Sequence, residues 1–195
     1  MSAPAPIGAD AVIPPRGSAL LSRLRLARLR AGARGAIEAG RDVRVARGAR
    51  VRVADGRVRL GDGCLLGTGC RIEAAGGTVE IGAGARIGER SVIVALSAVT
   101  VGAGAVVGDW AVLSDVEPAG ADVEVPVRLQ ALSPRPIAVG EHARVGAHAA
   151  LGPGAQVAAG AAVGSYAVVP TPPESVREGR PDRNDRAVDA GRRPR

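Results

Sequence analysis

From Leu60 onward an aliphatic side chain returns every sixth residue: Leu60, Leu66 and Ile72, then Ile81, Ile87 and Ile93, then Val101, Val107 and Leu113. After an interruption the beat resumes at Val139, Val145, Leu151, Val157, Val163 and Val169. Two residues ahead of most of these stands a small side chain: Cys64, Cys70, Ala85, Ser91, Ala105, Ala111, Ala143, Ala149, Ala155, Ala161 and Ala167. Residues two apart on a strand point the same way, so both series face one interior. A glycine commonly follows the large residue, and its freedom to take positive φ suits a turn. A chain that bends every six residues closes a triangular coil after three bends. Five such coils, stacked at strand spacing, make a prism about 24 Å tall. Val43 to Val58 repeats less cleanly and reads as an irregular first coil, and the longer steps from Ile72 to Ile81 and from Ile93 to Val101 read as corner bulges. The expected fold class is all-β, a parallel β-helix of hexapeptide repeats.

Composition agrees with so narrow a core. The chain has no Phe, one Trp and one Tyr, so aromatic rings do not fill its interior. A length of 195 residues suits one domain with tails. Residues 1–41 are expected to be a disordered Pro- and Ala-rich start followed by a basic helix. The β-helix is expected over 42–173 with a loop inserted at 114–138, and 174–195 form an extension disordered at its end. Ser18 caps the expected helix, which runs from Ala19 to Ala31 and stops at Gly32. Leu20, Leu21 and Leu24 cluster on one side, Leu26 and Leu29 fall away from them, and Arg23, Arg25, Arg28 and Arg30 interleave. This reads as a packing helix with a solvated basic flank, in preference to a peripheral membrane contact through residues 18–31.

The formal charge is +7, with every basic residue an arginine, and much of it lies between Arg16 and Arg59 and in the tail from Arg177 to Arg195. No aromatic platform or recognition motif accompanies it, so no nucleic-acid partner is expected. No signal peptide or transmembrane segment is recognisable, which makes a cytoplasmic protein the expectation. Cys64 and Cys70 fall in the small inward slot and read as core filler. Two cysteines are too few for a disulfide framework or a zinc site, and no metal is expected.

The repeat over residues 43 to 183 resembles the hexapeptide-repeat acyltransferase superfamily. Three stretches are most similar to its sugar O-acetyltransferases of the maltose, galactoside and polysaccharide-modifying type. They are VGDWAVLSD from Val107 to Asp115, VGEHARVGAHAALGPGAQVAAGAAVGS from Val139 to Ser165, and PPESVREGRPDR from Pro172 to Arg183. The resemblance implies a left-handed β-helix, assembly as a homotrimer, and acetyl-CoA or another acyl-CoA as co-substrate in a groove between subunits. It implies backbone contacts to the pantetheine arm at Ala147 and Ser165, and a contact from Arg183 to a CoA phosphate. The implied activity is that of an acyltransferase, moving an acetyl group to a hydroxyl of a small-molecule or saccharide acceptor. The loop from Ser114 to Ile137 is implied to reach toward a neighbour's acceptor site, with Val123, Val125, Val127 and Leu129 as an extended strand.

Two departures bear on chemistry. The resembled enzymes carry a general-base His directly after the residue matching Asp115, and here that residue is Val116. The Thr-Lys pair that usually follows their last coil is replaced by Pro170 and Thr171. A hydroxyl is a poor nucleophile without a positioned base, a contribution of about 10² to 10⁴-fold. Asp115, Glu117 and His148 are the candidate replacements. His142, His148, Trp110 and Tyr166 each stand three residues after a core aliphatic, a slot pointing away from the column, and Trp110 is a candidate floor for the acceptor's sugar ring. The alternative function is a catalytically degenerate β-helix serving as a binding or scaffold protein. A β-helical carbonic anhydrase needs three converging histidines, and the chain has two.

Overall fold

The computed structural model describes residues 19–33, 36–117 and 132–170. Its strands group in threes. The first coil is β1 (Ile37–Ala39), β2 (Arg44–Val45) and β3 (Arg50–Ala54); the second is β4 (Arg57–Leu60), β5 (Leu65–Leu66) and β6 (Arg71–Ala75). The third is β7 (Thr78–Ile81), β8 (Arg86–Ile87) and β9 (Val92–Ala95); the fourth is β10 (Ala98–Val101), β11 (Val106–Val107) and β12 (Val112–Ser114). The fifth is β13 (Ile137–Val139), β14 (Arg144–Val145) and β15 (Ala150–Leu151); the sixth is β16 (Gln156–Val157), β17 (Ala162–Val163) and β18 (Val168–Val169). Each strand pairs in parallel with its counterpart one coil on, giving three six-stranded sheets that form the faces of a prism.

The inward register is the one the hexad beat implies. Leu66, Ile87, Val107, Val145 and Val163 stand in line along the second face. Cys64, Ala85, Ala105 and Ala143 are fully enclosed beside them. The two end coils are less enclosed: Ala49, Val51 and Val53 in the first and Ala161, Val163 and Val169 in the sixth are only partly buried.

Two expectations need correcting. The first coil is regular, not irregular: β1 begins at Ile37, before residue 42, and β3 pairs with β6 over five successive positions. The glycine after each large residue is also not there for its φ. Gly108 and Gly146 have no positive φ, yet a Cβ on Gly108 would lie 2.6 Å from the Ala147 amide nitrogen. Coils stack backbone on backbone at these corners, and only glycine leaves the room. Positive φ falls two residues later, at Gly63, Gly69, Gly84 and Gly104. The longer strands β3, β6 and β9 account for the wide steps, because Ala74 and Ala95 add an extra inward residue before the chain turns into the next coil.

The helix α1 (Ala19–Gly32) crosses the open end of the column. An uncovered first coil is an exposed sheet edge, which proteins ordinarily blunt. Here the Val45 amide donates to Ser22 Oγ at 2.8 Å, Arg25 Nη1 donates to the Val45 carbonyl at 3.2 Å, and Arg30 Nη2 donates to the Ala39 carbonyl at 2.6 Å. Leu26 and Leu29 pack on the core beneath. The packing face is thus Ser22, Arg25, Leu26 and Leu29, and the cluster of Leu20, Leu21 and Leu24 lies on the outside. The sequence grouped the leucines correctly, but the larger group faces away, since the packing side needs polar atoms to satisfy the edge. No helix among the described residues is long and apolar enough to cross a membrane. Ser18, the tails, and the loop valines Val123, Val125 and Val127 with Leu129 lie outside the described residues.

Cys64 and Cys70 are buried as core filler. Burial pushes both thiols up to about 12, with the Asp62 carboxylate adding to the effect at Cys64. The thiolate is the nucleophile, so native protein is expected to resist iodoacetamide at neutral pH, and denatured protein to take up label at both positions by mass spectrometry. The folded-state values exceed the unfolded ones. The thiols therefore favour the fold fully below about pH 9, and that contribution disappears as pH rises toward 12.

Candidate functional site

The corner between the second and third faces carries one residue per coil in a single column: Gly48, Gly69, Arg90, Trp110, His148 and Tyr166. Backbone bonds fix the alignment. The Trp110 amide donates to the Glu89 carbonyl, the His148 amide to the Asp109 carbonyl, both at 2.8 Å, and the Tyr166 amide to the Ala147 carbonyl at 2.9 Å. All six have positive φ, including 54° at Arg90, 60° at Trp110, 58° at His148 and 60° at Tyr166. Glycine adopts this conformation freely, whereas an L-residue with a side chain pays roughly 1–2 kcal/mol. From the third coil onward the chain gives up glycine at four consecutive corners. Asp42, Asp55 and His142 take the same conformation elsewhere, but at no other corner among the described residues do residues other than glycine take it in four successive coils.

What the strain secures is a stack. Coil spacing of about 4.8 Å is also a stacking distance, so planar groups at one corner lie face to face. Trp110 and His148 have centroids 6.0 Å apart with planes 6° from parallel, and His148 and Tyr166 are 4.7 Å apart at 2°. The Arg90 guanidinium closes the lower end, 4.8 Å from the Trp110 centroid. Both faces of the His148 imidazole are covered, so its nitrogens are approachable only at the ring edge, in a fixed orientation. Trp110 remains 47% exposed and Tyr166 73% exposed.

Ala147 and Ser165 sit one coil apart at the same corner, each directly preceding a ring of the stack. On the other side of the column, Val92, Val112, Ala150 and Val168 stand in register along the third face, with Val112 and Val168 exposed. The corner therefore offers the small residues Ala147 and Ser165 on one side, a ring stack in the middle and an apolar strip beyond.

Asp115 and Glu117 are not part of this corner. They follow β12, at the opposite end of the third face. Asp115 is fully buried, and its carboxylate accepts the Leu96 amide at 2.8 Å and the Ser97 amide at 2.7 Å. Its carbonyl accepts the Arg135 amide at 2.8 Å, so it ties the third coil's corner to the returning end of the loop. Both carboxylate oxygens are occupied by backbone, which suits a structural brace better than a base. Glu117 is exposed, with Oε1 3.9 Å from Arg135 Nη2. Val116 lies between them, half-buried. Arg183 lies outside the described residues. His142 occupies a different corner, over Gly104, so the two histidines do not converge, and no group of metal-ligating side chains occurs among the described residues.

No protein-family model matches the sequence, and no curated protein does. Solved structures do match. A variant of AntD, an N-acyltransferase from Bacillus cereus, in complex with dTDP-4-amino-4,6-dideoxyglucose and coenzyme A, aligns with a TM-score of 0.63 at 16% identity, covering 76% of this chain and 78% of that one. Another variant, with dTDP and coenzyme A, gives 0.62 at 16% identity over 76% and 79%. This chain has the left-handed parallel β-helix fold. AntD with dTDP and 3-hydroxybutyryl-CoA gives 0.54 at 17% identity, over 76% and 78%.

Sequence reasoning placed Trp110, His148 and Tyr166 outside the column but did not join them into a stack. The signal was present: each stands three residues after an inward aliphatic of the second face, as does Arg90 after Ile87. Counting columns across the loop, and not only along the chain, brings them together.

Proposed function

We propose that the protein transfers an acyl group from a CoA thioester to a sugar or sugar-derived acceptor at the corner formed by Trp110, His148 and Tyr166. The observation that carries this reading is the stacked imidazole of His148 beside the small residues Ala147 and Ser165. The fold supports it, since the solved structures that match include an N-acyltransferase crystallised with CoA and a dTDP-sugar. The pantetheine arm lies along Ala147 and Ser165, Arg183 meets a CoA phosphate, and Trp110, its faces held by Arg90 and His148, offers its exposed edge to the acceptor. His148 takes the proton as the acceptor oxygen or nitrogen attacks the thioester carbonyl, and CoA leaves as the thiol. An acetyl group on a hydroxyl, as in the sugar O-acetyltransferases, is the specific form proposed, with the groove completed by a neighbouring copy in a homotrimer.

The second reading is a scaffold that has lost transfer, favoured by Val116 in the usual place of the base and by the backbone-bound carboxylate of Asp115. Isothermal titration with acetyl-CoA, followed by thiol release in the presence of sugar nucleotides bearing a free hydroxyl or amine, separates the two. Binding and acceptor-dependent CoA release are expected. No heat at millimolar cofactor leaves the scaffold.

A further inference from the structure

The outward face of α1 is unexplained by the fold and unused by the proposed site. Leu20 and Leu24 are one turn apart and remain 75% and 49% exposed, and Ala27 and Ala31 continue the same face. Arg23 borders it on one side and Arg28 on the other, Arg30 being turned to the Ala39 carbonyl, and the helix contains no acidic residue. Its opposite face is fixed to the first coil through Ser22, Arg25 and Leu29. Beside the helix lies a groove of about 760 Å³ whose charged lining is Arg23, Arg25, Arg41, Arg44 and Asp42. Asp42 is its one carboxylate among the described residues, and Arg41 shares its charge with Asp62 at 3.4 Å.

We infer that α1 docks the base of the column onto an anionic phospholipid surface. A leucine strip edged by arginines on a rigidly held helix suits the boundary between headgroups and acyl chains: the leucines enter, while the arginines extend along the surface to the phosphates. The charge complementarity is one-sided, as an anionic bilayer requires and a self-contact of this helix would oppose, because two copies of the face would bring arginine against arginine. The flat end of the prism, not a long side, meets the membrane, so the stacked corner stays clear of the bilayer.

The test is co-sedimentation of the full chain with vesicles of phosphatidylcholine alone, or with about one third phosphatidylglycerol, in about 0.1 M salt. Binding to the anionic vesicles and not to the neutral ones is expected. Leu20→Glu/Leu24→Glu and Arg23→Glu/Arg28→Glu should each weaken it by about tenfold or more. Arg86→Glu/Arg144→Glu removes as much charge from the second face and should change it by less than about twofold, which distinguishes docking by the helix from indiscriminate charge attraction. The inference is overturned if anionic vesicles do not bind the chain or if the leucine variant binds as well as the parent. It is also overturned if the leucine variant lowers the protein's mass in vesicle-free ultracentrifugation, which would show that another copy covers these side chains.

Discussion

Ile87→Glu is expected to leave the chain without a cooperative melt, whereas Arg86→Glu, on the adjacent residue, should melt with the parent. Ile87 is fully enclosed between Leu66 and Val107 in the second face's inward line. A carboxylate there finds no hydrogen-bond donor among aliphatic neighbours and no path to water, a cost of several kcal/mol. Total stability is only about 5–15 kcal/mol for a domain. Arg86 faces outward on the same strand, and its replacement should stay within about 0.5 kcal/mol. Position along the axis adds a second contrast. Each coil of a solenoid touches only its neighbours, so a defect near one end can be relieved by peeling the coils beyond it. Val145→Glu, in the fifth coil, should release the fifth and sixth coils and separate His148 from Trp110. The first three coils should keep their structure. Circular dichroism with Trp110 fluorescence reads both effects: loss of all β signal for Ile87→Glu, and a changed tryptophan environment with much of the β signal kept for Val145→Glu. Equal tolerance of Ile87→Glu and Arg86→Glu would show the inward register to be wrong.

The architecture was legible because a hexapeptide β-helix writes its core into a single period. Leu66, Ile87, Val107 and Val145 occupy one line in space because each is the second inward aliphatic of its coil, a place that reappears once the longer corner steps and the loop are counted out. What escaped were features set by contacts between coils. The requirement for Gly108 and Gly146 comes from the backbone of the coil above, which no local turn preference reports. The orientation of α1 was set by the unpaired backbone of Val45 and Ala39, which drew Ser22, Arg25 and Arg30 inward and left the leucine cluster outside. The role of Asp115 escaped for the same reason. Its partners, the amides of Leu96 and Ser97, stand nearly a full coil earlier, and sequence alone offered it as a carboxylate beside a vacant base position.

Replacing His148 should separate a catalytic imidazole from a merely stacked ring. His148→Phe keeps a planar group between Trp110 and Tyr166, and His148→Asn keeps polarity in a residue that tolerates positive φ; neither supplies a base at the ring edge. If His148 takes the acceptor's proton, both variants should lose about 10² to 10⁴-fold in kcat while KM for acyl-CoA changes little. Tyr166→Phe, which preserves the stack and removes only a hydroxyl, should retain most activity. The melting temperature of His148→Asn should fall by no more than a few degrees, since the residue is exposed and its backbone bond to Asp109 remains. The nature of the acceptor enters here as well. A neutral amine attacks a thioester with far less need of a base than a hydroxyl does, so the loss should be greater with a hydroxyl acceptor than with an amino sugar of the same shape. A kcat within about threefold of the parent for both substitutions, on both acceptors, would exclude His148 as the base and assign the stack to holding the substrate alone.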